Sequence, residues 1–362
     1  ITKNIGLDLG FLNNRLNVSF DAYIRDTKDM LMAGKTLPGV YGASSPRMNV
    51  ADLRTKGWEA SVTWGDSFTL ASKPFNYRIM AGIGDNTSKV TKYDNPNRTL
   101  TDPYEGQQLG EIWGYVVDGY FKTDEEARNY KVDQSFVNQM INASALDNGL
   151  HAGDLKFVDL DGNNKIEQTT SANDRKDMKV IGNSLPRYNY NFGISADWYG
   201  IDFSVLFQGI GKQNWYPGAE TSMFWGPYSR PYASFIPSDF MSQVWSEENT
   251  NAYFPRPRGY VALGSNRELA VVNPKYLQNL AYCRLKNLSI GYTLPDKWLS
   301  KIGFEKIRVY FSGENLLTFT KLHSDYIDPE QASASNSWKT SKSDANIYPW
   351  AKTYSFGVDI TF

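Results

Sequence analysis

The chain has 362 residues, a formal net charge of −1, 14% aromatic residues, one cysteine (Cys283) and two histidines (His151 and His323). Dispersed basic residues give no nucleic-acid footprint, a lone cysteine excludes an intrachain disulfide, and one Cys with two distant His makes a thiol triad or a zinc set improbable. No run approaches the ~20 apolar residues of a spanning helix, which excludes a helical membrane protein; a mean hydropathy of −0.48 beside 23 Tyr and 10 Trp fits a transmembrane β-barrel, whose strands alternate lipid-facing and lumen-facing residues between aromatic girdles.

The chain opens Ile1-Thr-Lys-Asn4 with neither an initiator Met nor a signal peptide, and is read as starting inside a longer protein. Strict alternation follows at once. Ile5, Leu7, Leu9 and Phe11 alternate with Gly6, Asp8 and Gly10; after a tight turn at 12–14, Leu16, Val18, Phe20, Ala22 and Ile24 alternate with Asn17, Ser19, Asp21, Tyr23 and Arg25. This predicts a hairpin with one apolar and one polar face. The pattern returns at Trp58, Ala60, Val62 and Trp64 against Glu59, Ser61 and Thr63, at 77–84, at 188–198 with Asn189 and Asp197 on the polar side, and at 203–207 after a short 199–202 turn. Later strands are predicted at 282–294, 306–319 and 348–362.

The count is about nine long strands, each of the length that a tilted membrane strand needs. Short connections at 12–14, 65–73, 199–202 and 295–304 alternate with long ones at 29–47, 93–186, 213–277 and 320–347. Such sorting predicts an all-β fold: a transmembrane antiparallel β-barrel with short turns on the periplasmic side and long extracellular loops. Because closed bacterial barrels use even strand numbers and lipid tolerates no open edge, an odd count predicts an odd number of further strands N-terminal to these.

Two long connections carry local signals. In 93–186, Thr123 and Glu126 have capping-box spacing before a short helix. Asp159-Leu-Asp-Gly-Asn-Asn-Lys-Ile-Glu167 reads like the start of a calcium loop, with Asp159, Asp161, Asn163, the Lys165 carbonyl and Glu167 at ligand positions and Asn164 where the turn needs a left-handed residue. Thr170 stands where a bidentate Glu belongs, so Asp174 or Asp177 is expected to close the shell; the alternative is an Asx-rich loop without metal. Ca2+ here would be structural. In 213–277, Trp215, Tyr216, Phe224, Trp225, Tyr228 and Tyr232 cluster; Trp215, Tyr216, Trp225 and Tyr228 are candidates for stacking on substrate, against packing or interface anchoring as the plainer readings. A second short helix is expected at 237–248. The final strand puts Tyr354, Phe356, Val358, Ile360 and Phe362 on one face and ends in Phe; Tyr354, Phe356 and Phe362 resemble the signal read by the outer-membrane barrel assembly machinery.

Several blocks then point to one family. Asn4-Ile-Gly-Leu-Asp-Leu-Gly-Phe-Leu-Asn-Asn-Arg-Leu16, Thr27-Lys-Asp-Met-Leu31, Lys56-Gly-Trp-Glu59 and Trp113-Gly-Tyr-Val-Val-Asp-Gly-Tyr-Phe121 resemble the SusC/RagA family of TonB-dependent transporters. Gly153-Asp-Leu-Lys-Phe-Val-Asp-Leu-Asp-Gly162, Val180-Ile-Gly-Asn-Ser-Leu-Pro-Arg187, Arg284-Leu-Lys-Asn-Leu288, Gly291-Tyr-Thr-Leu-Pro295 and Gly313-Glu-Asn-Leu-Leu-Thr318 follow in order over nearly the whole chain, and Asn173-Asp-Arg175 resembles the family's pattern downstream of the acidic loop. Each block alone is weakly specific; their order is what counts. The resemblance implies that residues 1–362 are the C-terminal portion of a barrel of about 22 strands, with the plug and the TonB-contacting segment lying N-terminal to them. It implies a SusD-like surface lipoprotein as lid, energy from TonB, and import of nutrient oligomers, glycan first and peptide as the alternative, with no enzyme activity. A non-transport barrel for secretion or adhesion and a soluble glycan-binding or glycan-cleaving β-protein are the competing classes; the latter would need strand faces suited to water on both sides.

Overall fold

The computed structural model describes residues 1–34, 37–44, 46–138, 149–229, 235–264, 267–299, 303–332, 342–343 and 348–362. Nine strands form one antiparallel sheet in chain order: β1 Thr2–Phe11, β2 Leu16–Ala33, β3 Arg47–Leu70, β4 Lys73–Lys92, β5 Arg187–Trp198, β6 Ile201–Lys212, β7 Tyr282–Thr293, β8 Lys306–Thr320 and β9 Thr353–Thr361.

Register follows from the alternation, since opposed residues in an antiparallel pair share a face. Phe11, Leu16, Trp64, Ile79, Ile194, Val205 and Leu288 form one continuous apolar row across seven strands. Asp8, Ser19, Ser61, Gly82, Asn191, Gln208 and Arg284 form a polar row on the opposite face. The apolar face is left open: Ile5 is 73% exposed and Phe356 83%. Such a patch is intolerable in water and suited to lipid.

Two of the short turns are tighter than expected, while 12–15 and 294–305 run slightly longer than the expected 12–14 and 295–304. The third and fourth strands are joined by Ala71 and Ser72 alone, not by 65–73, and both adopt left-handed backbone (φ 50° and 63°); Tyr199 and Gly200 do the same (φ 52° and 86°) between β5 and β6. Two residues at positive φ match the twist of the flanking strands. Aromatic side chains gather at these turns. Phe68, Phe75 and Tyr77 pack together, Trp198 Nε1 donates to Leu70 O, and Lys73 lies over the Tyr199 ring. This is the composition of an interface belt, with rings at headgroup depth and a cation at the water side.

At the other end, β2, β3 and β4 run well past the membrane height. The sequence reading ended β2 near Ile24 and placed the next connection at 29–47; the strand continues to Ala33 and the connection is 34–46. Polar residues on both faces explain the difference. Beyond Ile24 the ribbon carries Arg25, Asp26, Lys28 and Asp29, a bulge with Asp29 at φ 54°, and an Asp26–Arg54 ion pair across the strands. A strand wet on both sides loses the alternation that marks a half-buried one.

The described residues of three long connections (93–186, 213–281 and 321–352) pack into a body at that same end. Its core draws Tyr115, Phe157 and Ile166 from the first, Trp215, Trp225, Phe254 and Tyr276 from the second, and Leu322 and Ile327 from the third. The helix Asp124–Arg128 forms as expected, with Thr123 Oγ1 accepting from Glu126 N at 3.1 Å. The helix expected at 237–248 reduces to a 3-10 turn, Phe240–Gln243. The chain leaves helical geometry there to pair with its own return segment: Phe254 N donates to Gln243 O and Trp245 N to Phe254 O. The 295–304 connection contains the short helix Asp296–Leu299, and 300–302 lie outside the described residues.

Lipid-facing and lumen-facing neighbours are expected to respond differently to the same charge. Ile194→Arg, on the apolar face at mid-depth, costs about 2–4 kcal/mol. Ser195→Arg, one residue on and on the opposite face, costs a small fraction of that. Urea midpoints of the detergent-folded protein, read by heat-modifiable gel mobility, check the contrast.

Candidate functional site

The acidic loop is built from the chain's own backbone. Asp159 accepts from Gly162 N and Asn164 N, each at 2.7 Å. Asn164 takes the left-handed conformation (φ 62°) that its position required. Ile166 is buried in the core of the loop body, and Ile166 N donates to Asp133 O at 2.8 Å, which anchors the loop.

Asp159, Asp161 and Asp177 each bring a carboxylate oxygen within 4.8 Å of the others. Asp177 is fully buried and accepts from Leu160 N (2.8 Å) and Glu167 N (2.7 Å). Burial first, and then the neighbouring Asp161 and Asp159, push its carboxyl above the ordinary carboxylate range. Asp174 stands apart in a turn closed by its own N–H on Ser171 O, so of the two acids considered it is Asp177, not Asp174, that lies beside Asp159 and Asp161. Asn163 Nδ2 and Lys176 Nζ turn Glu167 aside, at 2.9 and 3.2 Å from its two oxygens. Lys165 N donates to Asn163 Oδ1 at 2.8 Å. A tight set of hard, like-charged oxygens is donor chemistry that fits a divalent cation such as Ca2+.

The four aromatic candidates are core. Trp215, Tyr216 and Trp225 are fully buried and Tyr228 nearly so. Their polar atoms are spent inside the body: Tyr216 OH donates to Leu269 O at 2.8 Å, Trp225 Nε1 to Gly218 O at 3.0 Å, and Tyr228 OH to Pro255 O at 2.7 Å. Trp225 meets Phe224 and Tyr276 edge-on. No ring face is left for a sugar, because burying these large rings is what holds the loops together. Tyr232 lies outside the described residues.

The polar face of the sheet holds a recess of about 350 Å³, lined by Ser19, Asp21, Glu59, Ser61, Asn189 and Asn191 with Gly82 and Gly84. Glycine in two successive inward positions leaves the wall hollow there. Asp21 and Glu59 sit directly opposite each other. The expected lumen-side residues Asn17, Ser19, Asp21, Glu59, Thr63, Asn189 and Asp197 all share this face. At the last strand, Tyr354, Phe356 and Phe362 are exposed, with Phe356 beside Phe311 and Phe362 beside Phe304.

Sequence reasoning missed the charged joint between sheet and loop body. Arg284, 2% exposed, donates to both oxygens of Asp328 (2.7 and 2.8 Å), to Glu330 (2.6 Å) and to Thr318 Oγ1 (3.0 Å). Lys286 adds a second cation on Glu330. Arg284 lies in a family-like block, but its partners are 44 and 46 residues on, where no local spacing points to them.

An antiparallel sheet with one apolar face left open, tight turns on one side and a packed loop body on the other is the wall of an outer-membrane β-barrel. No family model matches the chain. It is 28% identical over 99% of its length to TonB-dependent receptor P3 of Formosa agariphila, 26% over 99% to receptor P39 of that organism, and 23% over 100% to TonB-dependent receptor SusC of Bacteroides thetaiotaomicron. The chain spans about a third of these relatives' own length, 34%, 35% and 32% respectively. Among solved structures it resembles the RagAB peptide importer in its open-open state, with a TM-score of 0.70 at 21% identity over 100% of this chain and 34% of that one, and in its closed-closed state, with 0.68 at 23% over 100% and 35%. This is the barrel fold of TonB-dependent receptors, and the chain is similar over its whole length to receptors that include SusC.

Arg284→Met is expected to destabilise the loop body by about 3–5 kcal/mol, because it strands the Asp328 carboxylate inside. Thermal unfolding of the detergent-solubilised protein checks it, with the exposed Arg15→Met as the near-neutral control.

Proposed function

We propose that the chain forms about nine strands of the wall of a transporter that imports nutrient oligomers across the outer membrane, glycans first. One observation carries the reading: a nine-stranded sheet with a lipid-suited outer face and a hollowed polar inner face. A wall of that kind is useful only around an aqueous or plugged lumen, and the relatives are receptors of that class. Neither β1 nor β9 has a second neighbour among the described residues. Lipid tolerates no such edge, so further strands of the same barrel are proposed to pair there. TonB is proposed to drive transport through a part of the protein outside this chain. A SusD-like lipoprotein is proposed to cap the loop body, and the barrel assembly machinery to read Tyr354, Phe356 and Phe362. Import is binding and gating; no bond is made or broken.

Native mass spectrometry of the protein extracted from its own outer membrane tests this reading. A co-purifying lipoprotein and trapped cargo in hexose steps support glycan import. Cargo with peptide masses moves the substrate to peptides, the cargo named for RagAB. A barrel free of lipoprotein and cargo, from cells whose deletion strain grows equally on every polymer offered, overturns the transport reading.

The acidic loop is proposed to hold a structural Ca2+ through Asp159, Asp161 and Asp177, with Asn163, the Lys165 carbonyl and Glu167 as further oxygens. Added Ca2+ is expected to slow proteolysis within 159–177, and Asp161→Asn to weaken that protection at least tenfold in the calcium midpoint. Cleavage that ignores both Ca2+ and chelator would show a metal-free Asx loop instead.

A further inference from the structure

Inside the loop body, two of the long connections meet at a charged cluster for which transport needs no role. Asp154, from the 93–186 connection, and Glu268, from the 213–281 connection, are both fully buried. Among the described residues, Arg258 is the one cation that touches both. It bonds Asp154 Oδ1 through Nη2 and stands 3.5 Å from Glu268 Oε1 through Nε. Glu268 Oε1 and Arg258 Nε make no hydrogen bond of proper geometry, and the other Glu268 oxygen has a long contact, 3.4 Å, from Leu155 N. Asp154 is better held, accepting from His151 N at 2.9 Å.

The seam around the cluster is close. Gly153 N donates to Phe121 O at 2.8 Å and Arg256 N to Gly153 O at 3.0 Å. Gly153 has φ +83°, and a side chain there would strike the Trp245 indole. Tyr120, Tyr228 and Tyr276 face Glu268 from the surrounding core, and Arg256 adds a second, more distant positive charge. All three phenols are held far above their ordinary range, first by burial, so they stay neutral while a carboxyl titrates.

We propose that Asp154, Glu268 and Arg258 form a proton-controlled latch between two extracellular connections, closed while the carboxylate pair keeps a proton and loosened when both acids ionise. With one proton on the pair, one anion faces one cation and the buried charge is balanced. With none, two anions share Arg258 where water cannot screen them. The proton belongs to Glu268, whose carboxyl is pushed up to about 8, first by burial and then by Asp154. Burial also raises Asp154, though Arg258 and the His151 N–H oppose it. A carboxyl raised in the folded state favours the fold fully at pH values below its ordinary range, and that contribution is lost as pH rises through its folded value. The latch is therefore tightest in acidic surroundings, loosens steadily towards neutral pH and has lost the proton's contribution above about pH 8.

The test is hydrogen exchange of the Arg256 and Gly153 amides in the intact protein in detergent, from pH 6 to 9.5, expressed as protection relative to the intrinsic rate at each pH. In the wild type, protection is expected to fall as pH rises from 6, by up to about tenfold per pH unit, the limit for one linked proton, and to level off above about pH 8, where Glu268 is ionised in the closed and the open latch alike. In Glu268→Gln it is expected to stay level across the range. Asp154→Asn leaves Glu268 and Arg258 as a balanced pair, so the fall should leave this window; it serves if E268Q does not assemble. Level protection in the wild type, or an undiminished fall in the variants that fold, overturns the latch.

Discussion

Everything in this molecule depends on one constraint: within a bilayer a strand's backbone N–H and C=O groups have no partner but another strand. Pairing each strand with its sequence neighbour meets that demand with the shortest possible turns, as Ala71–Ser72 and Tyr199–Gly200 show. Once pairing is fixed, alternation is fixed with it. A one-residue slip of β5 against β4 would turn Phe192 and Ile194 into the lumen and offer Asn189, Asn191 and Asp197 to lipid. Register is thus enforced by the solvent on both sides, and a barrel wall needs no packed core of its own.

That freedom explains where the core is. The large buried residues lie almost wholly in the connections, where water surrounds the chain and the ordinary rule of apolar burial applies. The loop body behaves like a small soluble domain assembled from three separate insertions. Its seams carry the buried charges, Arg284 with Asp328 and Glu330 where body meets sheet, and Arg258 with Asp154 and Glu268 where two insertions meet. Buried ion pairs contribute little net stability against apolar packing, but they penalise wrong arrangements heavily because a stranded charge is costly. In a body made of insertions that share no hairpin turns, such penalties select one docking geometry.

The sheet was legible in the sequence because lipid on one face and water on the other print a period of two. All nine strands lie where alternation placed them, and the errors fall at strand ends. Past Ile24 and before Trp58 both faces are wet, so the period vanishes although the pairing continues to Ala33 and from Arg47. The acidic loop was legible for another reason: Asp159, Asp161 and Asn164 are held by local turn geometry that spacing encodes. Its third carboxylate came from ten residues beyond Glu167, where spacing left two choices and the burial of Asp177 made one. The charged joints were silent, since contacts between separate insertions leave no periodic trace.

The aromatic residues show the same limit from the other side. Phe356 at 83% exposure and Trp225 at 0% add equally to a composition rich in rings, and composition reads both as barrel girdle. Context separates them. Phe356 alternates with Ser355 and Gly357 in a strand whose other face is polar, so its ring must point to lipid. Trp225 follows Met223 and Phe224 with no polar alternate, in a connection closed on both sides by other loops, so its ring must point inward. A cluster of rings in a long connection is therefore first a statement about how the connection packs. It becomes a statement about ligand only where a ring face remains uncovered, and at Trp215, Tyr216, Trp225 and Tyr228 none does.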